Sequence, residues 1–62
     1  MLLRKIETFL RRTGMPATTF GRLAAHDPRF VFDLRKGREP RPRTEYRAEH
    51  FMNTYRENYR VQ

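Results

Sequence analysis

Apolar residues recur at helical spacing in four separate segments of this chain, and the first runs from about residue 2 to residue 12. Its apolar stripe consists of Leu3, Ile6, Phe9 and Leu10. Charged residues fill the positions between them, which is the pattern of an amphipathic helix with one face in a core. Gly14 is placed to end this helix as a C-terminal cap, and Pro16 prevents the helix from continuing.

A second, shorter helix is predicted over residues 17–25. Its buried face is expected to consist of Phe20, Leu23 and Ala24. Gly21 costs up to about 1 kcal/mol relative to alanine inside a helix. A glycine at this position indicates that a neighbouring backbone approaches closely. Ala25 and His26 are predicted to form the turn that follows.

The third predicted helix covers residues 28–36. Asp27 is a good N-cap, Pro28 suits a first helical position, and Gly37 is a natural C-cap. Val31 and Leu34 are expected to point inward. Consecutive helical residues point in different directions, so Phe30 and Phe32 cannot both be buried beside Val31. We expect Phe30 to pack in the core and Phe32 to be exposed.

The fourth helix is predicted over residues 44–59, after a loop at residues 38–43 that contains two prolines. Its apolar stripe consists of Ala48, Phe51, Met52, Tyr55 and Tyr59. No alternating pattern indicates a strand. The sequence therefore predicts one all-α domain over residues 1–62, built as a compact four-helix unit. Its two short central helices meet at a tight turn, as in a helix-turn-helix.

Size and charge restrict the function. A chain of 62 residues buries only about 60% of the surface that it exposes when unfolded, so its core is small. The formal net charge is +7, and twelve of the fourteen basic residues are arginine. Arg35, Lys36, Arg38, Arg41 and Arg43 lie within nine residues, opposed by Glu39 alone. Such clustering is typical of a protein that binds a polyanion.

Several classes of function are not favoured. Cysteine and serine are absent, no glycine-rich phosphate loop is present, and His26 and His50 lack a metal-ligand spacing, so we expect no enzyme, metal or cofactor. No apolar run approaches the roughly 20 residues of a membrane span, and no signal peptide is evident. We expect a cytoplasmic, nucleoid-associated protein without a small-molecule effector.

The stretch from Gly14 to Gly37 resembles the helix-turn-helix of the Cro/lambda-repressor (XRE-like) family of DNA-binding proteins. Gly14-Met15 opens the stretch, Phe20-Gly21 stands where leucine-alanine is common, and Ala25 replaces the turn glycine. Val31, Leu34 and Gly37 complete the spacing without insertion. The chain looks most like the very small single-domain regulators of alphaproteobacteria and phages.

The resemblance implies a sequence-specific, double-stranded-DNA-binding transcriptional regulator, most simply a repressor that occupies an operator. Residues 28–36 would lie in the major groove. The base-reading residues would be Arg29, Phe32, Asp33 and Lys36. The phosphate-binding residues would be Thr18, Thr19, Arg35, Arg38, Arg41 and Arg43. A homodimer is expected, with an interface that includes Phe51, Met52, Tyr55 and Tyr59.

Plainer interpretations accompany these assignments. Asp33 can pair with Arg29 or Lys36 on a solvated helix, and residues 38–43 can serve as a stiff connector. The tyrosines can pack or dimerise rather than stack on bases. The same charge would also suit a non-specific nucleoid or RNA-binding protein. A basic protein-interaction module, such as an antitoxin or a phage-encoded inhibitor, is a further alternative.

Overall fold

Four α-helices make up the part of the chain that the computed structural model describes, which is the backbone of residues 1–59 and the side chains of residues 1–55. The helices are α1 (Leu2–Thr13), α2 (Ala17–Ala25), α3 (Phe30–Arg35) and α4 (Pro42–Tyr59). The described residues contain no strand. The all-α class and the four-helix architecture are confirmed.

Helix α1 buries a stripe that is rotated slightly from the predicted one. Its buried side chains repeat every four residues, at Leu2, Ile6 and Leu10. Leu3 and Phe9 are only half-buried at the edge of this stripe. The stripe starts at the second residue, so nearly the whole length of α1 packs against the other helices.

The core lies where α1 and α2 each pack against both α3 and α4. Its remaining buried side chains are Phe20 and Ala24 of α2, Phe30, Val31 and Leu34 of α3, and Ala48 of α4. Phe20 is fully buried, and its ring forms T-shaped contacts with Phe9 and Phe51 at centroid distances of 5.6 and 5.5 Å. Burial of Phe30 and exposure of Phe32 agree with the sequence prediction.

Leu23 was predicted to be buried, and this is wrong, because 55% of its surface is exposed. The buried face of α2 instead consists of Phe20, Gly21 and Ala24. Successive helical residues are rotated by about 100°, so a face centred between Phe20 and Gly21 leaves Leu23 at its edge. The close approach of α3 at Gly21 sets this rotation.

The turn between α2 and α3 begins with His26, which has a left-handed backbone conformation (φ 56°). Ala25, predicted to share the turn, is the last residue of α2. The backbone N–H of Asp27 donates to the carbonyl of Gly21 at 3.0 Å. A Cβ placed on Gly21 would overlap the carbonyl oxygen of Asp27. The predicted close approach at Gly21 is therefore confirmed, and its partner is the backbone of this turn.

Helix α3 begins at Phe30, two residues later than predicted. The Asp27 carboxylate accepts a hydrogen bond from the backbone N–H of Arg29 (3.0 Å), and the Asp27 carbonyl accepts one from Phe30 (3.1 Å). The prediction that Asp27 is the N-cap and Pro28 the first helical residue is wrong, because Arg29 is the N-cap and no side chain caps the helix. Asp27 instead begins a turn that contains Pro28 and Arg29. As a result, Arg29 lies directly before α3 rather than inside its first turn.

Helix α4 begins at Pro42, two residues before the predicted start at Thr44. The backbone N–H of Glu45 donates to the Arg41 carbonyl at 2.9 Å, which closes the first helical turn. Proline has no N–H to leave unsatisfied and a φ suited to a first helical position. Arg43 therefore belongs to the helix and not to the loop.

Candidate nucleic-acid interface

Three of the four predicted base-reading residues share one exposed face of α3, hereafter the α3 outer face: Arg29, Phe32 and Lys36. Arg29 directly precedes the helix and Lys36 directly follows it, and spacings of three and four residues place all three on one side. Each is exposed. Neither Arg29 nor Lys36 forms an ion pair within the part of the chain that the structure describes.

The fourth predicted reader, Asp33, is directed elsewhere. Its carboxylate accepts a hydrogen bond from Arg38 at 3.3 Å, and its backbone carbonyl accepts one from the Arg38 N–H at 3.1 Å. Gly37, at φ 99°, donates to the Leu34 carbonyl at 3.0 Å, and together these bonds end α3 in a Schellman motif. The Asp33 carboxylate is thus paired with Arg38. The alternative in which this carboxylate pairs with the side chain of Arg29 or Lys36 is wrong.

Arg35 joins α3 to α1. Its Nε and Nη2 donate to the two carboxylate oxygens of Glu7 at 2.7 and 2.9 Å, a bidentate geometry. Its guanidinium also lies 5.6 Å from the centroid of the Phe32 ring. These hydrogen bonds lower the pKa of Glu7 and raise that of Arg35. Arg35 was predicted to bind phosphate, whereas in this structure its guanidinium fork is occupied by Glu7.

Replacing Glu7 with glutamine tests this pair. The folded protein holds the pKa of Glu7 below its ordinary value, so the stabilisation is present above that value and is lost as the pH falls through the lowered pKa. Both side chains are partly exposed, so we expect a loss of no more than about 1 kcal/mol at pH 7. Urea denaturation at pH 7 and pH 3 measures the free energy of unfolding of the native protein and of Glu7→Gln. The difference in this free energy between the two proteins should be smaller at pH 3 than at pH 7. An equal difference at both pH values would contradict the assignment of the ion pair.

Thr18 and Thr19 lie in the first turn of α2. Thr18 is exposed, Thr19 is half-buried, and Pro16 before them provides no side-chain cap. The first N–H groups of a helix have no partner within it. These two threonines therefore lie beside backbone donors at the start of the helix, as the phosphate-binding prediction requires.

The remaining predicted phosphate-binding arginines differ in their surroundings. Arg38 is paired with Asp33 but keeps a side chain that is 72% exposed. Arg41 and Arg43 are exposed at the start of α4 and form no ion pair with a described side chain. The cluster that looks uniform in sequence thus contains one structural arginine, Arg35, and several available cations.

The residues predicted to form a dimer interface take part in the domain core. Phe51 and Tyr55 pack against Phe9, with ring centroids 6.1 and 5.2 Å from it, and Met52 is half-buried beside them. The Tyr59 side chain lies outside the described residues. Dimerisation stays a prediction, and among the described side chains of this set a second copy would meet the exposed parts of Phe51, Met52 and Tyr55.

The candidate interface is built from cations and aromatic rings rather than from metal ligands. Among the described side chains, no group of three histidine, aspartate or glutamate residues could hold a metal ion. No helix within the same part of the chain is both long and apolar enough to cross a lipid bilayer. Comparison with protein-family models, with curated proteins and with solved structures finds no match to this chain.

Proposed function

We propose that this protein binds double-stranded DNA sequence-specifically and represses transcription by occupying an operator. The observation that carries the proposal is the α3 outer face, where Arg29, Phe32 and Lys36 project from one helix without described acidic partners. Arginine can bind the O6 and N7 of guanine bidentately, lysine can bind the same edge, and an apolar side chain can contact a thymine methyl.

The dimensions of α3 suit this role. An α-helix with its side chains is about 10–12 Å in diameter, and the B-DNA major groove, about 12 Å wide, admits one. The helix is also held firmly, because Arg35 ties it to α1 and the Asp33–Arg38 pair closes its C-terminal end. Base-reading side chains on a fixed helix lose less freedom on binding than the same side chains on a loop.

Phosphate contacts would come from two segments on either side of the helix-turn-helix, the start of α2 and the chain that follows α3. Thr18 and Thr19 would meet one strand from the start of α2. Arg38, Arg41 and Arg43 would meet the backbone from the segment between α3 and α4. Such contacts fix the register and orientation of a protein on the duplex. The net charge of +7 favours them whatever the base sequence of the DNA. DNA binding of this kind would place the protein in the nucleoid.

A homodimer would present two copies of α3 to two half-sites one DNA turn apart, about 34–36 Å. Mass measurement in solution over a concentration series, with and without DNA, tests this part of the proposal. A strict monomer under both conditions would overturn the dimer without affecting the role of α3.

In-vitro selection from a random duplex library tests specific binding. We expect a defined consensus, and Arg29→Ala should weaken binding to it by about tenfold, in keeping with the 1–3 kcal/mol of a bidentate guanine contact. Arg12→Ala is the matched control, because Arg12 is an exposed arginine of α1 on the side that faces α4. It removes the same charge and should change affinity much less.

The salt dependence separates the alternatives. Equal affinity for selected and scrambled duplexes, with equally steep salt slopes, would favour non-specific nucleic-acid binding. If Arg29→Ala and Lys36→Ala left DNA binding unchanged but abolished a protein complex, the protein-interaction alternative would replace the proposal.

A further inference from the structure

A second exposed face, on α4, combines cations with aromatic rings. It consists of Arg43, Tyr46, Arg47 and His50, hereafter the α4 outer face. Their spacings of three, one and three residues place them on one side of the helix, and all four are exposed. None of the roles assigned above uses Tyr46, Arg47 or His50.

Two rings on this face stack on one another, and the outer ring can continue the stack. The phenol of Tyr46 and the imidazole of His50 are nearly parallel, with an interplanar angle of 15° and centroids 5.9 Å apart. Tyr46 is 68% exposed, which is high for so large a ring. The packing of Phe51, one residue from His50, belongs by contrast to the core.

A cleft lies beside these rings, between α2 and α4. It has a volume of about 220 Å³, and Leu23 and Ala24 of α2 line it together with Tyr46, His50 and Phe51. The cleft is open to solvent, and the exposed Leu23 gives it an apolar wall.

The charges on this face would attract phosphate. Arg43 and Arg47 form no ion pair with any described side chain. The described ion pair of α4 joins Glu49 to Lys5 of α1, on the side that packs against α1. The two arginines flank Tyr46 at distances of three residues and one residue along the helix.

We propose that the α4 outer face binds single-stranded nucleic acid, with a base stacked on the Tyr46–His50 rings and phosphates held by Arg43 and Arg47. Stacking platforms bordered by cations are the usual means of binding single strands. A duplex would not use the rings, because its bases are already stacked on one another. An acidic protein would use the arginines but has no requirement for a stack of exposed aromatic rings between them. This site shares Arg43 with the phosphate contacts proposed for a duplex. Its rings and Arg47 lie apart from the α3 outer face, and their role does not depend on the proposed duplex binding.

Fluorescence anisotropy with labelled twelve-nucleotide oligothymidylate and oligouridylate tests the proposal on the full chain. We expect both probes to bind. Tyr46→Ala should weaken binding by about tenfold, a value within the range for loss of one stacked base. Tyr46→Phe keeps the ring and should bind like the native protein.

Arg47→Ala should weaken binding and reduce the magnitude of the slope of log affinity against log salt by about 0.7, the value for one phosphate contact on a single strand. Arg29→Ala is the control from the α3 outer face. It should not show the roughly tenfold loss of oligonucleotide affinity that is expected for Tyr46→Ala. Conversely, Tyr46→Ala should leave binding to a selected duplex unchanged. Circular dichroism confirms that each variant is folded.

Three results would overturn the proposal. The first is failure of the native protein to bind either oligonucleotide. The second is equal affinity of Tyr46→Ala and the native protein. The third is a Tyr46→Phe variant as weak as Tyr46→Ala, which would show that the hydroxyl and not the ring matters. Loss of duplex binding in Arg29→Ala is a separate measurement, so either proposal can fail alone.

Discussion

Replacing Phe20 with alanine is expected to remove a large part of the free energy that keeps the protein folded. Loss of a buried phenylalanine costs about 3–5 kcal/mol, and a domain of 62 residues has a total stability of about 3–9 kcal/mol. Phe20 is fully buried and forms T-shaped ring contacts with Phe9 and Phe51. The cavity would open where α1, α2 and α4 meet. Thermal and urea unfolding followed by circular dichroism measure the loss.

Phe32→Ala is the matched control, because it makes the same change at an exposed site. Phe32 is 41% exposed, and its described ring contact is with the Arg35 guanidinium, which at an exposed site contributes about 0.5–1 kcal/mol. We expect a small change in stability from this variant and, if α3 binds DNA, a change in affinity. Equal destabilisation by both variants would contradict the placement of the core around Phe20.

Local sequence signals predicted the helix ends that depend on backbone conformation. Gly14 and Gly37 both have positive φ, as their placement after apolar stripes indicated. The difference between Phe30 and Phe32 was also predictable, because two neighbouring residues cannot occupy one face of a helix. In each case the interaction that decides the structure joins residues only a few positions apart in the sequence.

Features set by contacts between helices were not predictable in this way. Leu23 has the character and the spacing of a core residue, yet the approach of α3 at Gly21 rotates it to the surface. The Glu7–Arg35 pair joins residues 28 positions apart, and no local pattern marks Glu7 as its partner. The start of α4 at Pro42 was missed because two prolines close together indicate a loop as readily as a first helical turn.

The same limitation applies to the candidate site. Sequence clustering treated Arg35, Arg38, Arg41 and Arg43 as equivalent phosphate-binding groups. The structure divides them, because Glu7 holds Arg35 and Asp33 holds Arg38, whereas the other two form no described ion pair. Charge density alone therefore predicts that a polyanion binds but not which cations bind it.

Gly21→Ala gives the sharpest test of how α2 and α3 are joined, because two effects predict opposite signs. Helix propensity alone predicts stabilisation by up to about 1 kcal/mol, since Gly21 lies within α2 and not in the left-handed region. The added Cβ, however, would overlap the carbonyl oxygen of Asp27. That carbonyl accepts the Phe30 N–H at 3.1 Å, so it cannot move without disturbing the start of α3. We expect a net loss of about 1–3 kcal/mol, typical of an overpacked site.

His26→Gly is the complementary change five residues later. His26 has φ 56°, a conformation that costs a residue with a side chain roughly 1–2 kcal/mol and costs glycine almost nothing. The greater freedom of glycine in the unfolded chain offsets about 0.4–1 kcal/mol of that gain. Urea unfolding should therefore show His26→Gly to be neutral or slightly stabilising, whereas Gly21→Ala is destabilising. A stabilised Gly21→Ala would mean that the turn does not lie against α2. In that case α3 would not be held in the position from which Arg29, Phe32 and Lys36 are proposed to read DNA.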